Sequence, residues 1–226
     1  MQAAWCKDTG LVCSPPVGSV PQNLWAELEC AFLNTYQARW QCFADVIGLG
    51  FAQGKAMLWR RDLLDAAGGI EALADEIAED AAATKIVRSQ GLCVRLVRVP
   101  FAQPLGHRNL ADVWRRQLRW ARLRRDTFKW FFVPEIFAGA VPTLALTALV
   151  ADFTGWPVLS IVVPLAALWY AVESLLAYIA GWPLSLRIVV LCMLRDTVLP
   201  PLWVAAWIGD EFEWRGNAMT VAVGST

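Results

Sequence analysis

At 226 residues the chain has room for one or two domains, and with 57% hydrophobic residues, 13 tryptophans and a mean hydropathy of +0.43 it is too apolar for an ordinary soluble domain. The formal charge is zero, from 20 basic and 20 acidic residues, so no nucleic-acid partner is expected, but the sum hides an asymmetry. Arg108, Arg115, Arg116, Arg119, Arg122, Arg124, Arg125 and Lys129 crowd into one span between a mixed polar half and a strongly apolar half. Membrane association is the first expectation.

Six cysteines are scattered without a C-x-x-C spacing, and the lone His107 cannot complete a zinc site. The cysteines read as buried thiols of a reducing compartment, and His107 as a surface or interface residue. The first residues lack the basic start and apolar run of a signal peptide.

In chain order, residues 10–15 (Gly-Leu-Val-Cys-Ser-Pro) form a short apolar strand with nothing before it to pair with, so the chain reads as beginning in mid-fold. Residues 23–38 place Leu24, Leu28, Phe32 and Leu33 at helical spacing. Residues 46–59, punctuated by Gly48, Gly50 and Gly54, predict a loop entering a buried strand, where glycine lets backbone approach a ligand or simply turn. Residues 60–69 predict a short helix closed by a glycine cap at Gly68 and Gly69. The acidic cluster Asp75, Glu76, Glu79 and Asp80 opens a helix running through Val87. Carboxylates favour a helix N-terminus through the dipole, and one at the mouth of a cleft also suits a general base. Residues 93–99 alternate as a strand.

Three apolar segments follow, at 130–150, 158–180 and 188–208, each near the ~20 residues that span a bilayer. Pro134, Glu135 and Pro142 interrupt the first, Glu173 lies in the second, and Arg195-Asp196 lies mid-way along the third, which leaves that segment open between spanning and lying along the surface. Trp156, Trp182 and Trp207 mark segment ends, as an aromatic belt requires, and the positive-inside rule puts residues 108–129 and the polar half in the cytoplasm. On a helix, Arg116, Arg119 and Trp120 share a face. Two guanidinium forks beside an indole suit a pyrophosphate with a ring stacked next to it, and a juxtamembrane basic helix equally suits anionic headgroups.

Taken in order, Gly10-Leu11-Val12, residues 48–57, residues 60–69, Ala78-Glu79-Asp80 and the R-x-x-R-W of Arg116, Arg119 and Trp120 resemble the ceramide glucosyltransferase family, with Trp214-Arg215-Gly216 in the tail. That family is one of inverting, membrane-anchored glycosyltransferases of GT-A fold, and the resemblance covers its C-terminal two-thirds. It implies an α/β, partial GT-A (Rossmann-like) domain over 1–107, a basic interfacial helix over 108–129, about three transmembrane helices over 130–210 and a tail over 211–226. It implies transfer of glucose from UDP-glucose to the primary hydroxyl of ceramide, with Asp80 as catalytic base. Glu79, Arg116, Arg119, Trp120 and Gly54 are the implied substrate-binding residues. The Arg pair would hold the diphosphate, Trp120 would wall the acceptor or sugar pocket, and Glu79 would contact the sugar.

The family's divalent cation, Mg or Mn, is expected too, but its D-x-D ligands are absent from these residues, so none is assigned as a metal ligand. The expectation is therefore a truncated or split form, a multi-pass membrane protein with its catalytic part in the cytoplasm, in the cell inner membrane if bacterial. Transfer to diacylglycerol or a hopanoid lipid, and an inactive remnant or partner subunit, are the competing readings.

Overall fold

In a computed structural model of the protein, residues 1–183, 185–214 and 217–220 are described, with 212–214 and 217–219 traced by backbone alone. The chain divides into two compact units: Met1–Val17 with Gln37–Gln103, and Gly18–Tyr36 with Pro104–Thr226.

The first unit is a small α/β layer. Its sheet has β1 (Thr9–Cys13) at the centre, β3 (Met57–Trp59) antiparallel on one side and β4 (Cys93–Leu96) parallel on the other. The registers pair Leu11 with Trp59 and Leu11 with Val94. Both partners of β1 come from later in the chain. β4 stops at Leu96, short of the expected 99.

Alternating inward residues explain the core: Leu11, Cys13 and Val94 pack against Ala83 and Val87 of α4 (Glu79–Ser89). A Cβ on Gly10 would stand 2.9 Å from Val87 Cγ1, so glycine is what lets this helix lie close on the sheet. The short helix α3 (Arg61–Ala66) ends as expected, with Gly68 at φ +105° and Gly69 at +77°. The acidic cluster does not open one helix. Residues Gly69–Asp75 form a 3-10 turn, and only Glu79 and Asp80 fall in the first turn of α4. The remaining helix of this unit, α2 (Arg39–Val46), lies against β4.

The second unit is helical. Asn23 caps α1 (Leu24–Ala31), its Oδ1 accepting from the Ala26 N–H at 3.0 Å, and the helical path widens into a π-type stretch at Phe32–Ala38. The two-stranded pair of β2 (Val17–Pro21) and β5 (Ala102–Gly106) leads to α5 (Leu110–Thr127), capped by Asn109 and carrying the basic run.

The first apolar segment is broken. α6 (Lys129–Phe132) and a 3-10 turn, Val133–Ala138, precede α7 (Ala140–Phe153), and the two halves meet at 67°. Proline 134 and the extended Gly139 (φ −99°, ψ 165°) account for the break. The helices α8 (Val158–Ile179) and α9 (Ile188–Ile208) are long and apolar enough to cross a membrane, and the bent pair adds a third only if it counts as one span. Along its length α9 packs on α5, Val113 against Leu191 and Leu199, Ala121 against Leu202 and Ala206.

The tail folds in part as a hairpin of β6 (Glu211–Trp214) and β7 (Asn217–Thr220), while Arg215 and Gly216 of the tail motif lie outside the described residues. The cysteines divide: Cys13, Cys30 and Cys192 are buried as expected, whereas Cys6 and Cys42 are exposed. Burial pushes the thiols of Cys13 and Cys30 up to about 12, which keeps both unreactive.

Candidate functional site

Asp80 sits in the first turn of α4, half-buried, facing the glycine-punctuated loop. Its Oδ2 accepts from the Gly54 N–H at 3.1 Å. The loop is held to both ends of α4. Near the start, Thr84 Oγ1 accepts from the Ala52 N–H at 2.9 Å and donates to the Asp80 carbonyl at 2.8 Å. Toward the end, Arg88 Nη2 donates to the carbonyls of Leu49 at 2.9 Å and Gly50 at 3.2 Å. From α2, Gln41 Nε2 donates to the Phe51 carbonyl at 2.8 Å. A Cβ on Gly50 would stand 2.2 Å from the Val94 carbonyl, and one on Gly54 2.3 Å from Glu79 Oε1. The loop therefore runs flush against both the sheet and the acidic pair.

Loss of solvent, followed by the negative charge of Glu79, pushes the Asp80 carboxyl up from its ordinary 3.8 to about 6, against the opposing pull of N–H groups from Gly54 and Ala81. Glu79 itself is exposed. A carboxylate that changes charge near neutrality, held by backbone on one edge, is equipped to take a proton from a hydroxyl. Gly54, Glu79 and Asp80 are thus brought together, as the sequence spacing alone cannot show. Thr84, Arg88 and Gln41 were missed; as ordinary polar residues within helices they carry no sequence signal for such a role.

In the second unit the basic helix proves to be sorted by partner. Glu29 of α1 is fully buried, and its two oxygens take Arg108 Nε at 2.8 Å and the guanidinium of Arg116. Arg124 pairs with the buried Glu135 at 2.9 Å and donates to Tyr36 Oη at 3.3 Å. Arg125 reaches Asp210 at 2.5 Å and the Ala206 carbonyl at 2.5 Å, and Arg122 joins the Glu211 carbonyl, so two arginines cap the C-terminal end of α9. Arg115 holds Asp112 at 2.5 Å on the surface. Much of the run is therefore internal bracing rather than a solvated basic face.

Arg119 is half-buried, and burial together with the charge of Arg116 holds its guanidinium below the usual arginine range. Glu29 thus faces both Arg108 and Arg116, and Arg119 lies close enough to Arg116 to feel its charge. Trp120 is half-buried and packs on Ala26, Cys30, Leu33 and Leu105. His107 is exposed, as the sequence reading expects.

A small α/β layer presenting a desolvated acid, followed by a braced basic helix and membrane-capable helices, defines a membrane-associated protein with the parts of a group-transfer enzyme. Residues 1–226 match glycosyl transferase family 21, and the chain belongs to that family of glycosyltransferases. No solved structure matches it.

A nucleotide-sugar enzyme of the kind the resemblance implies uses a divalent cation. Among the described residues no three His, Cys, Asp or Glu side chains gather into a metal-holding group. The half-buried acid at hand, Asp80, accepts from the Gly54 N–H. No step below passes through such an ion.

Proposed function

We propose that this chain carries the acceptor-activating part of an inverting transferase that moves glucose from UDP-glucose to the primary hydroxyl of ceramide. The observation that carries the reading is the Asp80 carboxyl, desolvated, edged by the Gly54 N–H and pushed up to about 6. In this reading Asp80 takes the proton of the acceptor hydroxyl as its oxygen forms a bond to the anomeric carbon. The bond from that carbon to the UDP oxygen breaks on the opposite face, and UDP leaves with the electron pair. Arg116 and Arg119 meet the negative charge that builds on the diphosphate. Glu79 contacts the sugar, Gly54 gives the room in which Glu79 and Asp80 lie, and Trp120 walls the acceptor or sugar. The D-x-D absent from these 226 residues is, in this reading, supplied by a separate stretch of polypeptide. The catalytic part faces the cytoplasm, where nucleotide sugars are found.

The test is a lipid extract from membranes in which the chain is expressed joined to a D-x-D-bearing nucleotide-binding half, supplied with UDP-glucose and labelled for transferred hexose; the chain alone is expected to transfer little or none. A glucosylated ceramide that disappears in Asp80→Asn supports the reading. A glycolipid that persists when sphingolipid synthesis is blocked moves the acceptor to diacylglycerol or a hopanoid lipid, and undiminished product from Asp80→Asn removes Asp80 from the base role.

A further inference from the structure

The loop over residues 49–54 is tied down by side chains of two helices, and the ties do different things. Arg88 of α4 donates to the Leu49 and Gly50 carbonyls and Gln41 of α2 to the Phe51 carbonyl, so these two hold the loop alone. Asp80 accepts from the Gly54 N–H, which joins the loop to the acid by its tip. Thr84 joins them by a second route and through a single atom. Its Oγ1 accepts from the Ala52 N–H at 2.9 Å and donates to the Asp80 carbonyl at 2.8 Å.

The placement follows from helix geometry. Asp80 and Thr84 stand four residues apart on α4 and share a face. A mid-helix threonine readily returns its proton to the carbonyl four residues back. That uses the only hydrogen the hydroxyl has and leaves its lone pairs to accept. The Ala52 N–H fills one of them, and a hydroxyl that donates while it accepts strengthens both bonds. Thr84 is fully buried and Ala52 only 4% exposed, so solvent has no ready access to the pair.

Together these groups close a ring. From Asp80 Oδ2 it runs to the Gly54 N–H, back along the chain to the Ala52 N–H, across to Thr84 Oγ1, and from there to the Asp80 carbonyl. One arc is a turn of α4, stiff by its own hydrogen bonds, and the other is the stretch of loop from Ala52 to Gly54. The hydroxyl sets the spacing between the arcs. Without it the Ala52 N–H is buried with no acceptor, a state costly enough to move the loop toward water. Gly54 lies two residues on and moves with it, away from the carboxylate.

We infer that Thr84 is a positioning residue for Asp80: its hydroxyl sets how closely the 49–54 loop covers the acid, and so whether the Gly54 N–H or water meets the carboxylate. Its effect on turnover rests on the transferase reading; the clamp itself does not.

Three variants separate the hydroxyl from the space it fills. Thr84→Val keeps the shape and removes the hydroxyl, Thr84→Ala removes both and leaves room for a water, and Thr84→Ser keeps the hydroxyl. Hydrogen–deuterium exchange of the full chain in nanodiscs is read on peptides covering 50–56 and 9–13. In the valine and alanine proteins exchange over 50–56 is expected to rise about tenfold, the scale of one lost buried hydrogen bond, with 9–13 unchanged; the serine protein is expected to follow the parent. The second reading is the titration of Asp80 itself, by carbon NMR of labelled aspartate, assigned by the signal missing in Asp80→Asn. Desolvation is the largest influence holding this carboxyl near 6 and the Gly54 N–H a smaller, opposing one, so a lifted loop is expected to bring the midpoint down. Third, kcat of the chain joined to the D-x-D-bearing half is expected to fall about ten- to a hundredfold in Thr84→Val, with KM for UDP-glucose little changed, and to return in Thr84→Ser.

Exchange that rises evenly over the first unit, or an Asp80 midpoint unmoved in both hydroxyl-free proteins, makes Thr84 a packing residue and overturns the inference without reference to activity. A joined parent that transfers no sugar overturns the transferase reading, and the first two measurements still decide the clamp. A loosened loop and a shifted midpoint with undiminished turnover remove Asp80 from the base role and leave the clamp standing.

Discussion

The Gly54 N–H reaches Asp80 Oδ2 at 3.1 Å, so the one acid of the first unit that burial pushes toward neutrality is oriented by backbone rather than by a second side chain. Backbone does not titrate, and the pH behaviour of the site is therefore set by Asp80 and its neighbour Glu79. Turnover that needs the ionised Asp80 is expected to rise through about pH 6 and level above it. Removing the Glu79 charge in Glu79→Gln takes away one of the influences raising Asp80, and the acid limb is expected to move to lower pH. A pH profile of kcat/KM with the two proteins side by side, each joined to the D-x-D-bearing half, checks this; coincident limbs would mean that the Glu79 charge does not act on Asp80.

The same shift has a stability side. The folded carboxyl binds its proton more tightly than the unfolded one, whose ordinary value is 3.8, so its contribution is fully present below 3.8 and is lost as pH rises through about 6. Asp80→Asn is therefore expected to unfold at a higher temperature than the parent at pH 7–8, by on the order of a few degrees. The gap should narrow as pH falls toward 4. Thermal melts in detergent across that range decide it, and a melt lower than the parent's at pH 8 would mean that the carboxylate is stabilised in its charged form.

Two glycines in one loop should respond differently to the same methyl. A Cβ on Gly50 meets the Val94 carbonyl at 2.2 Å, which is backbone within the sheet and cannot give way, whereas one on Gly54 meets Glu79 Oε1 at 2.3 Å, the far end of an exposed, flexible side chain. Gly50→Ala is expected to cost about 1–3 kcal/mol, the range for overpacking, and Gly54→Ala to leave stability within about 0.5 kcal/mol. Because Gly54→Ala displaces Glu79, it should still raise KM for the sugar donor. Denaturation midpoints and steady-state kinetics on both variants test the contrast.

These contrasts also mark where sequence reasoning reaches its end. The glycine closure after α3, the helical spacing from Leu24, and the lengths of α8 and α9 depend on residues within a few turns of one another, and each is visible in the sequence. The partners of β1 are not, because β3 and β4 come some 45 and 80 residues later and a short apolar run says nothing of what it pairs with. The arginine run is the sharper case. Its charge density is plain, but the counterions Glu29 and Glu135 lie in apolar stretches, 87 residues before Arg116 and 11 after Arg124, where an isolated acid looks like an interruption. The break at Gly139 was half legible: Pro134 announces it, but the change of direction happens at a glycine whose Cβ would meet Asp196 Oδ1 at 2.9 Å.

Glu29 is fully buried and answers two guanidiniums, so loss of the carboxylate and loss of one arginine are not symmetrical. Glu29→Gln leaves Arg108 and Arg116 facing a neutral amide and is expected to destabilise the protein by about 3–5 kcal/mol. Arg116→Met keeps the Arg108 pair and should cost clearly less. Unfolding free energies that rank the two the other way would show that Glu29 is held by something other than its arginines.

Between the apolar helices, Arg195 is fully buried and donates to both Glu173, at 2.9 Å, and Asp196, at 2.6 Å. Asp196 also accepts from the Ala140 N–H at 3.0 Å and from Tyr170 Oη at 3.2 Å, so one carboxylate ties α9 to the start of α7 and to α8. Two acids against one guanidinium leave a formal negative charge, which the positive end of α7 offsets. Arg195→Met should therefore be among the most damaging single changes in the second unit, since it removes the guanidinium that two buried carboxylates face. Glu173→Gln keeps the Arg195–Asp196 pair intact and should be tolerated. In the double variant Arg195→Met with Glu173→Gln one of the two buried negative charges is gone, so folded yield should recover part of the way toward the parent. Fluorescence-detected size exclusion of the three proteins extracted in mild detergent reads this directly. A double variant no better than Arg195→Met alone would mean that the arginine's bond to Thr35 on the π-type stretch, rather than neutralisation of Glu173, is what the fold requires.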